Sequence, residues 1–310
     1  MTKDDIAKVK AQGFLINRGT QKFNGRVIPE GCVFTAEQLA AVAQCAEKFG
    51  DGRIAMTSRL TAEISGIDFE KIPEAQEYLA QKAGLTFGGT GAKIRPVVAC
   101  KGTTCIFGNC DTQGIAKGIY EKYYVGWGQV ALPHKFKIAV GGCPNSCMKP
   151  SLNDFGIEGR KRPRYQNDDC RSCKTCQVAE GCPIGAATLQ DGKLVIDQET
   201  CNNCGVCVGK CPFKAVDHEG ERRLMIYIGG TWGKKPRMGT PLPRLVAEEE
   251  IFPLLEKTLL WFKANAFQKE RLGAAIDRIG VDTAIAQILD SDDLLRRKEE
   301  ILAAPVLTRK

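Results

Sequence analysis

The chain has 310 residues, 43% hydrophobic and 26% charged, the balance of an ordinary globular protein long enough for two or three cored domains. No run of about 18 apolar residues occurs, and the opening MTKDDIAKVKAQGF has no apolar signal core, so the expectation is a cytoplasmic protein without a membrane span. In that setting its 15 cysteines read as metal ligands rather than disulfides, and its net charge of +8 asks for an anionic partner.

Residues 1–13 read as a short polar helix or arm. Residues 14–31 look like one or two strands ending in the Pro29-Glu30-Gly31 turn. An amphipathic helix follows, with Leu39, Val42, Ala43 and Ala46 on one face. Thr35 caps it, Gln38 completes a capping box, and Gly50 stops it. RIAMTSRLTAEISGI (53–67) alternates as one strand, and FEKIPEAQEYLAQKAG (69–84) is a second helix. Strand–helix–strand–helix predicts an α+β, ferredoxin-like half-domain.

VVACKGTTC is an apolar strand entering a Gly/Thr loop, and DTQGIAKGIYEKYY is the helix after it. KFKIAVGG is a further strand, whose alternation puts Lys135 and Lys137 on one face with Phe136 and Ile138 opposite. Two adjacent ammonium groups repel unless an anion sits between them. Cys100 and Cys105 are separated by four residues, and Cys143 and Cys147 by three. Two loops, each giving two thiolates, suit a four-iron cluster; zinc sites are usually spaced CxxC, which neither pair shows. Cys110 is an alternative to Cys105 on spacing alone.

A cysteine-dense block follows. Cys170, Cys173 and Cys176 are spaced CxxCxxC, with Cys182-Pro183 beyond, and Cys201, Cys204, Cys207 and Cys211-Pro212 repeat the pattern. In such a two-cluster run each fourth cysteine ligates the other cluster. One set is then Cys170, Cys173, Cys176 and Cys211, and the other Cys201, Cys204, Cys207 and Cys182. Cys32, Cys45 and Cys110 are left as buried or idle thiols. RRLMIYIGG resumes the sheet with Leu224, Ile226 and Ile228 on one face, and residues 241–303 read as helices with no catalytic motif.

CKGTTC, then KFK, then GGCPNSC resembles the sirohaem-binding motif of the sulfite and nitrite reductase family, with the first gap that of C subunits of anaerobic sulfite reductases. The resemblance implies a ferredoxin-like half-domain (1–88) and a sirohaem-binding α/β domain (89–164, continuing at 221–240). It also implies an inserted two-cluster ferredoxin domain (165–220) and a C-terminal helical region (241–310). It implies three 4Fe–4S clusters and a sirohaem bridged to one of them through Cys147, with Cys100, Cys105 and Cys143 completing that cluster. The implied activity is the six-electron reduction of sulfite, or of nitrite with the same cofactors.

By the same resemblance Lys135, Lys137 and Arg95 hold the substrate oxyanion, and Arg59 meets sirohaem carboxylates as well as the catalytic site. Lys234, Lys235, Arg237 and Asn145 join the cofactor-binding set. Arg26 lies one residue early against the family's Arg-x-Pro-Gly-Gly strand, a slip that should turn it to the other face. Leu60 stands where the family has glutamine. Clusters at roughly −2 each, together with sirohaem carboxylates, account for the surplus cations without nucleic acid. An electron-donor protein is implied, and a homodimer or heteromer in which cations of one subunit face the partner's sirohaem. A non-catalytic electron-transfer subunit is the rival, and the lysine pair argues against it.

Overall fold

A computed structural model describes residues 1–290 and 292–309. Its first core lies under an antiparallel sheet. α1 (Lys3–Ala11) opens with a Thr2/Asp5 capping box. β1 (Phe14–Ile16) and β2 (Phe23–Ile28) follow, then α2 (Ala36–Phe49), which carries the predicted Thr35/Gln38 box and ends at Gly50. β3 (Ile54–Met56), β4 (Ala62–Ile67), α3 (Ile72–Ala83) and β5 (Thr86–Phe87) complete the unit, in the order β1-β2-β4-β3 with β5 also on β2. Phe23, Val27, Ile64 and Ile67 point inward against Val42, Ala46 and Leu79 of the helices. The 53–67 stretch is not one strand. Leu60 takes φ +56°, and the Thr57 and Thr61 hydroxyls lie 2.7 Å apart, so a tight turn divides it into β3 and β4. That turn is what thrusts Arg59 out of the sheet.

The second core is larger. β6 (Val98–Ala99), α4 (Thr112–Ile119), β7 (Ile138–Gly141) and β8 (Phe155–Arg162) come first. α4 runs on as a π-helical turn over Tyr120–Val125. The insert contributes α5 (Gln177–Glu180) and the β9 (Ala187–Gln190)–β10 (Lys193–Ile196) hairpin before the sheet resumes with β11 (Glu221–Ile228) and β12 (Thr240–Pro241). The order is β12-β11-β8-β7-β6, with β6, β7 and β8 parallel and β11 antiparallel to β8. Every residue of β7 is buried, as expected for a parallel strand covered on both faces. On β11 Leu224, Ile226 and Ile228 point inward, as their alternation predicts.

The helices beyond 241 are part of this core rather than an appendage. α6 (Ile251–Asn265) is buried continuously from Leu254 to Lys263. α7 (Leu272–Ile279) and α8 (Val281–Asp290) are one amphipathic stretch divided at Gly280, φ +108°. α9 (Asp293–Arg296) and α10 (Lys298–Ala303) close the chain, and one apolar cluster runs from Ile94 to Ile301. Glu256 on α6 binds the Tyr123 hydroxyl at 3.1 Å, Lys122 at 3.1 Å and Lys298 at 2.7 Å, tying three helical segments together. Among the described residues no helix is long and apolar enough to cross a membrane.

The insert between β8 and β11 has little core of its own. Val178, Ala187, Leu194 and Val216 are its buried apolar cluster, and Cys170, Cys176, Cys182, Cys207 and Cys211 pack against it. So small a core needs staples, and ligand thiols packed into it are where metal binding adds folding free energy.

Candidate functional site

Five cations from four stretches of chain line one cavity of about 230 Å³: Arg26, Arg59, Arg95, Lys135 and Lys137. Arg26 comes from β2, and the sequence-based expectation that it turns away is wrong. On β2 Arg26 pairs with Glu63 of β4, and its side chain reaches the cavity beside Gly89. Arg26 is steadied by Glu63 at 2.5 Å and donates to the Gly89 carbonyl at 3.0 Å. Arg95 N–H donates to the Phe136 carbonyl at 2.8 Å, which sets Arg95 beside the lysines. Its Nη1 donates to the Gly89 carbonyl, while its Nε is buried with no hydrogen-bond partner among the described residues. An orphaned guanidinium N–H among like charges is what an oxyanion would satisfy.

Lys135 and Lys137 lie just ahead of β7, flanking the buried Phe136, and both face the cavity. Asp154 places Lys137: its carboxylate accepts the Lys137 backbone N–H at 2.8 Å. Asp154 is 0% exposed and is held by Arg271 Nη2 at 2.9 and 2.8 Å. Burial, then the charges of Arg59, Arg271 and Lys135, bring Lys137 down to about 8. Burial and neighbouring arginines also depress Lys135 and Arg95, and burial brings Arg59 down to about 10. Such mutual depression marks a cavity built to hold negative charge.

Arg59 is also a strut. Its Nε donates to the Pro96 carbonyl at 2.9 Å, Nη2 to the Ile138 carbonyl at 3.0 Å, and Nη1 to Asn153 Oδ1 at 3.1 Å. It thereby fastens the half-domain to the second sheet. Most of its donors are spent on the protein, so the bulk of its work is architectural.

A second cavity of about 360 Å³ adjoins the first and shares Ser58, Arg59 and Lys137 with it. Its lining also includes Cys147, Met148, Lys149, Val98, Asn153 and the largely exposed Trp232. Cys147 is exposed in a loop where Ser146 and Lys149 both take positive φ, +53° and +49°. The anion cavity and the Cys147 cavity therefore adjoin within one chain.

Cys100, Cys105, Cys143 and Cys147 gather here. Burial and the neighbouring Cys100, Cys147 and Cys105 thiols raise Cys143, with the Asn145 backbone N–H opposing. Asn145 itself is exposed. The Gly142 N–H donates to Cys100 Sγ at 3.1 Å, and a Cβ on Gly142 would come within 2.8 Å of Gly102 Cα, so the two loops need glycine to approach. Thiols that raise one another are poor neighbours until a cationic metal centre takes their protons. Cys110 is buried in the apolar core, and burial pushes its thiol up to about 12, an inert setting. Among the described residues no three His, Cys, Asp or Glu side chains converge enough to share one ion. Thiolates on separate irons of a cluster have no need to.

The loop after β11 departs from expectation. Arg237 is bound to Asp277 of α7 at 3.0 and 2.8 Å and donates to the Gly229 and Met238 carbonyls, so its guanidinium locks the loop to the C-terminal helices. Lys234 and Lys235 are exposed. Trp232, not these cations, is the loop residue that lines the cavity.

In the insert Cys182 neighbours Cys201, Cys204 and Cys207. Burial, then Cys201, Cys204 and Cys182, push Cys207 up to about 11. Against burial, the backbone N–H groups of Ile184, Ala187, Ala186 and Gly185 draw Cys182 down. Cys211 instead shares surroundings with Cys170 and Cys176: all three raise Tyr165, after burial, to about 12. The Leu194 and Ser172 N–H groups lower Cys170. Donor N–H groups around sulfur favour thiolates, the form that binds iron.

Comparison with known proteins gives the family. The model of the nitrite and sulphite reductase 4Fe–4S domain matches residues 90–294, and that of the nitrite/sulfite reductase ferredoxin-like half domain matches residues 18–82. The chain is 30% identical over 273 residues to the coenzyme F420-dependent sulfite reductase of Methanocaldococcus jannaschii, covering 87% of this chain but only 42% of that protein. It is 29% identical to the C subunit of the anaerobic sulfite reductase of Salmonella typhimurium, covering 96% and 89% of the two chains. A solved dissimilatory sulfite reductase I shares the fold, with TM-score 0.69, 24% identity, and 86% and 68% coverage. With one family model spanning residues 90–294 and another the half-domain before it, the chain belongs to the nitrite and sulphite reductase family.

Proposed function

We propose that this chain is a sirohaem and iron–sulfur reductase that converts sulfite to sulfide with electrons entering through its insert. One observation carries the reading: a cavity of five cations with an orphaned Arg95 Nε opens onto the cavity that holds Cys147. A passive electron carrier has no use for the first.

Cys100, Cys105, Cys143 and Cys147 would hold one 4Fe–4S cluster, with Cys147 shared with sirohaem. Cys170, Cys173, Cys176 and Cys211 would hold a second, and Cys182, Cys201, Cys204 and Cys207 a third. When bound, these groups supply the one-electron chemistry that no side chain provides. Lys135, Lys137, Arg95 and Arg26 hold the substrate oxygens through charge-assisted hydrogen bonds. Lys137, held near 8, is protonated at neutral pH yet gives up its proton more readily than an ordinary lysine, which suits it to protonating oxygens that leave as water. Asp154, through the Lys137 backbone, keeps that ammonium aimed into the cavity. A separate protein supplies the electrons.

Anaerobic turnover with a reduced viologen tests the assignment. Sulfite should yield sulfide with six electrons consumed per sulfite. Nitrite reduced to ammonia with sulfite untouched would move the assignment to nitrite.

A further inference from the structure

The insert meets the second core through Asn109, a side chain 6% exposed in the loop that joins Cys105 to α4. Its Nδ2 donates to the Cys204 carbonyl at 3.1 Å. Its backbone N–H donates to the Gly142 carbonyl at 2.8 Å, and the Gly142 N–H donates in turn to Cys100 Sγ at 3.1 Å. Covalent bonds and three hydrogen bonds thus run without a break from a cysteine of the 182/201/204/207 set to a cysteine of the 100/105/143/147 set. The same loop of the insert is fastened to β8 next to this path. Lys161 N–H donates to the Asn203 carbonyl at 2.8 Å, and Arg160 Nη1 to the Asn202 carbonyl. The 170–176 segment is held by groups of the insert itself, among them Tyr165 and the Leu194 N–H.

We infer that Asn109 is the bridge over which electrons leave the insert, and that the 182/201/204/207 set is the inner one. The inference rests on the proposed function. Electronic coupling falls off far less steeply along covalent and hydrogen bonds than across a gap between non-bonded atoms. A buried neutral amide also suits the position. It donates to one loop through its side chain and to the other through its backbone, and it has no charge to be titrated or repelled by the anionic thiolate groups on either side. Each crossing oxidises the iron–sulfur group on Cys204 by one electron and reduces that on Cys100 by one, with no proton moved. The Cys170/173/176/211 set is then the outer one, where a donor delivers electrons.

The test uses the full, anaerobically loaded chain with Asn109→Leu and Asn109→Asp. Leucine removes the side-chain bond. Aspartate keeps the shape and the backbone bond but turns an acceptor toward the Cys204 carbonyl. Electrons are injected by a pulse, cluster reduction is followed by freeze-quench paramagnetic resonance, and arrival at sirohaem by visible absorption. The concentration-independent step between the two should slow several-fold in both variants. Iron content and the resonance signals of the reduced clusters should stay at wild-type values, so that the slowed step reports the path and not a lost cluster; the thermal midpoint falls in both variants, because the Cys204 carbonyl loses its donor. Transfer at the wild-type rate in either iron-replete variant overturns the bridge, and if the leucine variant loses iron the aspartate variant decides. A wild-type chain that takes up no sirohaem overturns the proposed function, and the bridge with it.

Discussion

Lys135→Ala and Lys137→Ala are each expected to lower sulfite turnover by about 10²-fold or more while leaving the sirohaem spectrum intact, the loss typical of one preorganised donor to developing negative charge. Neither lysine is a cofactor ligand in this account, so colour and iron content should survive. The wild-type pH profile carries a second signature. Lys137, brought to about 8 by burial and by its cationic neighbours, is charged below that value and neutral above it. kcat/KM, which reports the free enzyme, should therefore fall as pH rises through about 8. Lys137→Ala should lose this limb, and Lys137→Arg, charged throughout, should move it upward. Unchanged turnover in both alanine variants would show that the anion cavity is not the reaction site. The same shift has a stability sign. Lys137 binds its proton less tightly folded than unfolded, so its charging opposes folding fully below about 8, and that penalty fades as pH climbs toward the ordinary lysine value.

Asp154→Ala should destabilise the loaded protein by about 3–5 kcal/mol, the cost of removing one partner from a buried ion pair. Asp154 is wholly buried, accepts two bonds from Arg271 and one from the Lys137 backbone, and joins α7 to the strand that carries the lysines. Alanine would leave a guanidinium only 18% exposed, whose Nε already lacks a partner among the described residues. Loss of the Lys137 aim should lower kcat as well. Denaturant unfolding under anaerobic conditions measures the first effect. A variant within 1 kcal/mol of wild type, on the usual scale of a surface change, would mean that the pair contributes little.

What the sequence reveals here follows from locality. Cysteine spacings are local, so the twelve candidate thiols and a crosswise grouping of eight of them can be proposed from the order of residues alone. The strand carrying Lys135 and Lys137 is legible for the same reason, since alternation places both on one face. Arg26 is misjudged because its place at the cavity depends on Glu63 and Gly89, 37 and 63 residues away, and not on its own segment alone. Arg237 looks like a cofactor cation within its Gly-rich loop, yet Asp277, which binds it, stands 40 residues away. Asp154 and Arg271 are 117 residues apart, and no period or motif links them. Residues 241–303 are legible as helices, but their burial against β11 and α4 depends on a sheet assembled from distant strands. Cys105 and Cys110 cannot be separated by spacing; only the fold shows that Cys110 is buried in the apolar core.

The central claim is that one chain unites sirohaem, a cluster coupled to it and two ferredoxin-type clusters. Iron analysis and visible absorption of the anaerobically prepared protein, reconstituted to saturation with iron, sulfide and sirohaem, test it most directly. The account predicts about thirteen irons per chain, four for each of three clusters and one for sirohaem, with haem absorption that shifts when sulfite is added. Saturation at about eight irons without haem absorption would contradict it, leaving a two-cluster ferredoxin beside a domain that binds no cofactor.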